Sequence, residues 1–248
     1  MVSVGVYAAL LAIVAALFIG SVSLWRRVSS KDSADREMGK ARLALQRDLA
    51  MASPAQLSRA RVPPSLGAGD DGEALWFLSP VDPASGQMAH RQDGTPCWQR
   101  NILYYLVVPD NHQPTFGMVC NGGTGPTGYD DRCSHKVLIR KVIDTGPATI
   151  PTDETTQEAL IVNINPYLTR PNGYSLAAMA GEPGLGEAKI VASQLLVFET
   201  TAGKPGELNV DLRAVTIDAA RRQIPLGSAS CFTGPFTRQG PFSAFLHN

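Results

Sequence analysis

The stretch VYAALLAIVAALFIG, Val6–Gly20, is almost wholly apolar, and from Met1 to Trp25 the only ionisable side chain is the phenol of Tyr7. As a helix these residues reach about 36 Å, enough to cross a hydrocarbon layer of about 30 Å with some tilt. Residues 1–25 therefore read as a membrane anchor rather than a core helix. From Arg26 onward the chain turns charged without losing helical character. No proline occurs before Pro54, and Met38, Ala41, Leu45, Leu49 and Ala52 recur at gaps of three and four, which draws one stripe along a helix. Residues 26–53 thus read as an amphipathic continuation of a single spine. Its stripe is expected to cover the sheet of its own domain, with Glu37, Arg42, Arg47 and Asp48 wet or paired with a neighbour.

Residues 54–248 are long enough for one globular head with a real core. Most of the 23 glycines and 18 prolines fall in this part, as expected of short strands joined by many turns. The strand candidates are Ala74–Leu78, Ile102–Val108, Thr115–Cys120, Val137–Ile143, Ile190–Phe198 and Leu208–Ile217, each rich in aliphatic and aromatic residues and bounded by turn formers. Pro109-Asp110-Asn111 and the glycine-rich Asn121–Gly128 suggest that Ile102–Ile143 is a three-stranded antiparallel meander. Gln157–Leu168 settles on neither a helical nor a strand period and is ended by Pro166. The expected fold class is α+β, a long N-terminal helix on an antiparallel sheet.

Lys plus Arg equal Asp plus Glu at 22 each, so no basic excess is present to hold nucleic acid. The apolar run is too long for a cleaved secretory leader and no basic side chain precedes it. Two topology signals conflict. Arg26 and Arg27 follow the span, which by the positive-inside rule puts the head in the cytoplasm. Four cysteines in a loop-rich domain point instead to an oxidising compartment. We expect the head outside.

The apolar helix, its continuation Ala41–Ala52, and the strand pair Ile102–Val108 and Lys136–Val142 together resemble the type IV pilin-like superfamily, particularly minor pilins and the minor pseudopilins of type II secretion. In that family a Tyr-x-Leu strand followed by a Leu-x-Arg strand comes after such a helix, and Tyr104 with Leu106 and Leu138 with Arg140 occupy the matching places. The resemblance implies a structural subunit that primes, caps or decorates a pilus or pseudopilus. It implies other pilin or pseudopilin subunits as partners, a single span of the bacterial inner membrane, and a periplasmic or extracellular head. Close packing of neighbouring spines needs small residues, and Ala8, Ala9, Ala12, Ala15, Ala16 and Gly20 supply them. Met38, Leu45 and Leu49 would pack the lower spine on the head. The alternatives from other classes are a membrane-anchored envelope enzyme or ligand-binding domain, and a membrane-tethered cytoplasmic domain.

If Thr115–Cys120 and Val137–Ile143 pair, Cys120 and Cys133 stand at the feet of one loop, where a disulfide would contribute about 3 kcal/mol. Cys97 and Cys231 would then pair by elimination, although four cysteines allow three connectivities. A zinc site from Cys120, Cys133 and His135 lacks the usual close pairing of ligands, and His90, His112, His135 and His247 are scattered, so no metal is expected. Asp130 and Asp131 read as solvated acids rather than calcium ligands. No nucleophile elbow, phosphate-loop lysine or H-E-x-x-H pair occurs, so neither enzyme activity nor a cofactor is expected.

Overall fold

The first helix, α1, runs unbroken from Val2 to Leu49 in a computed structural model that describes residues 2–66, 72–82, 85–116, 133, 135–147, 149–150, 152–216 and 237–246. At 48 residues it is about 72 Å long. It ends by tightening, with Met51 N–H donating to Asp48 O and Ala52 N–H to Leu49 O. The extended Ser53 and a 3-10 turn at Pro54–Gln56 follow, since proline can continue neither the ladder nor the backbone geometry of the helix.

Nine strands are present among the described residues, and every pairing between them is antiparallel. Strands β1 (Leu57–Arg61), β2 (Glu73–Ser79), β3 (Arg100–Val107), β4 (Val137–Ile143) and β5 (Leu185–Ala192) lie side by side in that order. A second sheet holds β6 (Leu195–Ala202) beside β7 (Glu207–Val215), which also pairs with β8 (Thr237–Gln239) and β9 (Phe242–Phe245). The molecule is thus α+β, with one long N-terminal apolar helix and antiparallel sheets.

Strands β2, β3 and β4 show no inside–outside alternation because the first sheet is covered on both faces. Leu75, Phe77, Ile102, Tyr104, Leu106, Leu138 and Val142 face a core shared with α1 and the second sheet. The intervening residues, Trp76, Leu103, Tyr105, Val107, Ile139 and Ile143, face a second core closed by Ile164, Tyr167, Leu168 and Met179. Side chains stitch that cover to the sheet. Trp76 Nε1 donates to Ile161 O at 2.8 Å, Tyr105 OH to Thr169 O at 2.6 Å, and Lys141 Nζ to Tyr167 O at 2.6 Å. Gln157–Leu168 is therefore irregular, with a 3-10 turn at Asn165–Tyr167, because side chains rather than a ladder satisfy several of its carbonyls.

Three expected elements differ. Thr115 and Phe116 close a short helix, α2 (His112–Phe116), rather than opening a strand, and 117–120 lie outside the described residues. Among the described residues the meander has two strands, β3 pairing directly with β4 from Asn101↔Ile143 to Val107↔Val137. Ile190–Phe198 is not one strand but the end of β5 and the start of β6. Gln194, at φ 60°, turns the chain from one sheet to the other, while Val215 N–H donates to Gln194 O at 2.9 Å. The apolar run continues through that turn, which hides it from pattern reading.

The two sheets are joined where the Glu73 carboxylate accepts Thr200 N–H, and Thr200 Oγ1 at 2.9 Å, while Arg59 donates to Thr200 O at 2.6 Å. Burial pushes the Glu73 carboxyl pKa up, against the lowering effect of Thr200 and of Arg59 and Arg61. A carboxyl harder to ionise folded than unfolded carries more proton in the native state, so it costs stability as pH rises from its ordinary value to its raised one. Glu73→Gln is therefore expected to gain on the wild type as pH rises from about 4 to 8. Urea unfolding of a head fragment beginning at Lys31 measures this, and parallel pH profiles for the two proteins would contradict it.

Candidate functional site

The lower half of α1 is held on the head by more than its apolar stripe. Ala34, Ala41, Leu45, Leu49 and Ala52 are fully buried, and Met38 is packed against the same core. The helix meets β5, β7, β8 and β9. Gly240, in the turn between β8 and β9, lies so close that a Cβ there would sit 2.5 Å from Met38 Sδ. Ala34 lies four residues before Met38 and extends the stripe by one turn beyond the residues read from the sequence.

Asp48 sits on the same buried face. Its Oδ2 accepts from Tyr104 OH at 2.8 Å and from Arg140 Nε at 2.5 Å, and its Oδ1 from Arg47 Nε at 2.9 Å. Tyr104 and Arg140 are direct cross-strand partners on β3 and β4. Both point toward the helix, because the even-numbered positions of these strands face the shared core. Arg140 reaches on to Glu187 on β5 at 3.0 Å. The expectation that Asp48 is wet or paired with a neighbour is thus corrected: it is 5% exposed and paired within its own head. Its burial is tolerated because both carboxylate oxygens are satisfied by charged or hydroxyl donors. Burial, then the Asp48 carboxylate, drive the Tyr104 phenol pKa up. Burial disfavours the Arg140 charge, but Asp48, Tyr104 and Glu187 outweigh it and hold its pKa above the ordinary value.

A second tie lies higher on the spine. Glu37 Oε2 accepts Ser193 N–H at 2.8 Å and Ser193 Oγ at 3.1 Å, so α1 also grips the turn between β5 and β6. Arg42 lies over the Phe242 ring at 5.5 Å. On the far face of the first sheet, the odd-numbered Lys141 is buried and salt-bridged to Glu182 at 2.6 Å. That network holds the loop cover and leaves α1 untouched.

The upper half of α1 is bare. Its apolar window has a mean hydropathy of 2.3, none of it is buried, and it is long and apolar enough to cross a membrane. Leu11, Leu17, Phe18, Ile19 and Trp25 are all exposed. Ala12, Ala16 and Gly20 follow one another at intervals of four on this surface, and nothing lies within 4 Å of where a Cβ on Gly20 would stand.

Cys97 is a free, buried thiol, so the expected Cys97–Cys231 bridge is absent. The Cys97 N–H is held by Ala89 O at 3.0 Å, and its sulfur accepts a long contact from Gln99 Nε2 at 3.5 Å. Burial pushes its pKa up, which keeps it in the unreactive thiol form. Cys133 is in a disulfide whose partner lies outside the described residues. Cys120 and Cys231, the Asn121–Gly128 loop, and Asp130 and Asp131 lie outside them too. Two histidines expected to be scattered are neighbours, His112 and His135 having ring centroids 5.4 Å apart.

Comparison with known proteins finds no matching family model, no similar curated protein and no similar solved structure.

Proposed function

We propose that the chain is a minor pilin or pseudopilin-like structural subunit, anchored by the upper half of α1 in a bacterial inner membrane with its head on the outer side. One observation carries this reading: a single continuous helix is apolar and bare over its upper half, and over its lower half is clamped to the head by a buried stripe and by Asp48. A simple tether needs no rigid connection to its cargo. A subunit that transmits its orientation to neighbours does, because the direction of the spine then fixes the position of the head.

In this reading the spines of neighbouring subunits pack through the small residues Ala12, Ala16 and Gly20, where close backbone approach replaces the missing hydrophobic driving force between helices in lipid. The head adds contacts outside the membrane, and the subunit primes, caps or decorates a pilus or secretion pseudopilus. Ala12→Leu and Ala16→Leu are expected to leave the thermal melt of the head unchanged and the anchor inserted, while co-purification with partner subunits falls at least tenfold. Undiminished recovery of partners by both variants would reduce the helix to a tether. Topology has its own test. Alkaline phosphatase fused after Asn248 should be active, and an inactive fusion alongside an active cytoplasmic reporter would place the head inside and reject the assembly reading.

A further inference from the structure

We propose that Trp25, Arg26 and Lys31 form a collar for anionic phospholipid, the indole lying at the edge of the hydrocarbon and the two cations holding headgroup phosphate between the membrane and the head. The contact needs α1 to span a bilayer, so it rests on the anchoring part of the proposed function. It holds on whichever side the head lies.

The position follows from where the bare surface of the helix stops. Leu24, Trp25 and Val28 are exposed, and among the described residues Ala34 is the first of α1 to be fully buried, where the head takes hold. Val28 and Ala34 stand about 9 Å apart along the axis. A headgroup layer is about 5–8 Å thick on each side of the hydrocarbon, so headgroups lie beside residues 29–33 and the head begins directly over them. Ser29, Ser30 and Ser33 are short and leave room there beside the helix. An indole, apolar in its body with one N–H donor, settles at the boundary just below.

Charge selects the lipid. Each acid along this stretch already faces a cation: Asp32 lies 2.8 Å from Arg36, Asp35 3.4 Å from Arg238, and Glu37 2.5 Å from Lys40. Arg26 and Lys31 are exposed and have no such partner among the described residues. Lys31 precedes Ala34 by three residues and Met38 by seven, so it stands on the face of α1 that carries the head, one turn nearer the membrane. Arg26 starts about 7.5 Å deeper, and its long apolar stem carries the guanidinium out to the same layer. There its fork matches two phosphate oxygens. A zwitterionic lipid sets an ammonium beside that phosphate and cancels its charge, whereas an anionic lipid leaves the charge for the two side chains.

The test uses the full chain in vesicles of equal parts phosphatidylcholine and phosphatidylglycerol, with bromine on the acyl chains of one lipid or the other. Bromine quenches nearby tryptophan emission, and the part of the signal lost in Trp25→Phe belongs to Trp25. The relative affinity from the two quenching curves is expected to favour phosphatidylglycerol by about threefold at low salt and to vanish at about 0.5 M salt. Arg26→Gln combined with Lys31→Gln should bring the ratio to one. Lys204→Gln, which removes an exposed cation from the turn between β6 and β7, should leave it unchanged. All three side chains are exposed, so the thermal melt of the head should stay that of the unaltered chain. Equal quenching by the two lipids overturns the collar and leaves the anchor standing. Absence of quenching by either overturns both, because Trp25 is then not at a bilayer. A preference that survives in the double variant, or is lost equally in Lys204→Gln, belongs to other charges and overturns the proposal. So does a preference abolished by inorganic phosphate at constant ionic strength, since the cations would then hold a free anion.

Discussion

Leu45→Asp is expected to destabilise the head by about 5 kcal/mol, between a third and all of the stability of an ordinary domain. Leu45 is fully buried in the core that α1 shares with both sheets. Truncating such a leucine costs about 3 kcal/mol through lost transfer energy and the cavity left behind. An aspartate adds the cost of a carboxylate taken out of water. Arg140, the cation that β4 turns toward this face of the helix, is already committed to Asp48 and Glu187. The new acid would stay unpaired or force the helix off the sheet. Leu43→Asp provides the control, since Leu43 is 71% exposed on the same helix. Urea unfolding of the fragment beginning at Lys31 should show the Leu45 variant largely unfolded in buffer and the Leu43 variant within about 0.5 kcal/mol of wild type. Equal effects at the two positions would mean that the stripe does not carry the helix–sheet contact.

Arg140→Met is the second large effect, expected to cost about 3–4 kcal/mol. The loss does not come from the Glu187 pair, because Glu187 is half exposed and such pairs contribute little. It comes from Asp48, left as a buried carboxylate with only Tyr104 and the solvent-facing Arg47. Asp48→Asn removes that stranded charge, so the double variant Asp48→Asn with Arg140→Met should recover much of the loss and lie closer to wild type than Arg140→Met alone. Denaturant curves for the four proteins give the coupling directly. Additive losses within about 0.5 kcal/mol would show that Asp48 and Arg140 act separately, and the clamp would fail as a description of this joint.

Much of this arrangement is legible along the chain. The spine is visible because helical period, absence of proline and the change from apolar to charged residues at Arg26 are local properties. β2, β3, β4 and β7 are visible for a similar reason: each combines a β-branched or aromatic run with turn formers at its ends. β1, β8 and β9 escape notice because they are short, and two of them carry charged residues whose pairing depends on a neighbour far away in sequence.

Composition and period by themselves determined that an apolar helix continues into an amphipathic one and that a strand-rich head follows. Those features need only the spacing of apolar side chains and the backbone limits of proline and glycine. The joint between helix and head was decided by tertiary structure alone. Asp48 looks in sequence like any solvated acid on a polar face, and it is buried because Tyr104 and Arg140, neighbours only through the β3–β4 register, converge on it from more than fifty residues away. The same register brings His112 beside Cys133 and His135, across a connection whose length hides their proximity. Where distant strands pair, the free energy of one side chain depends on partners that local sequence does not contain.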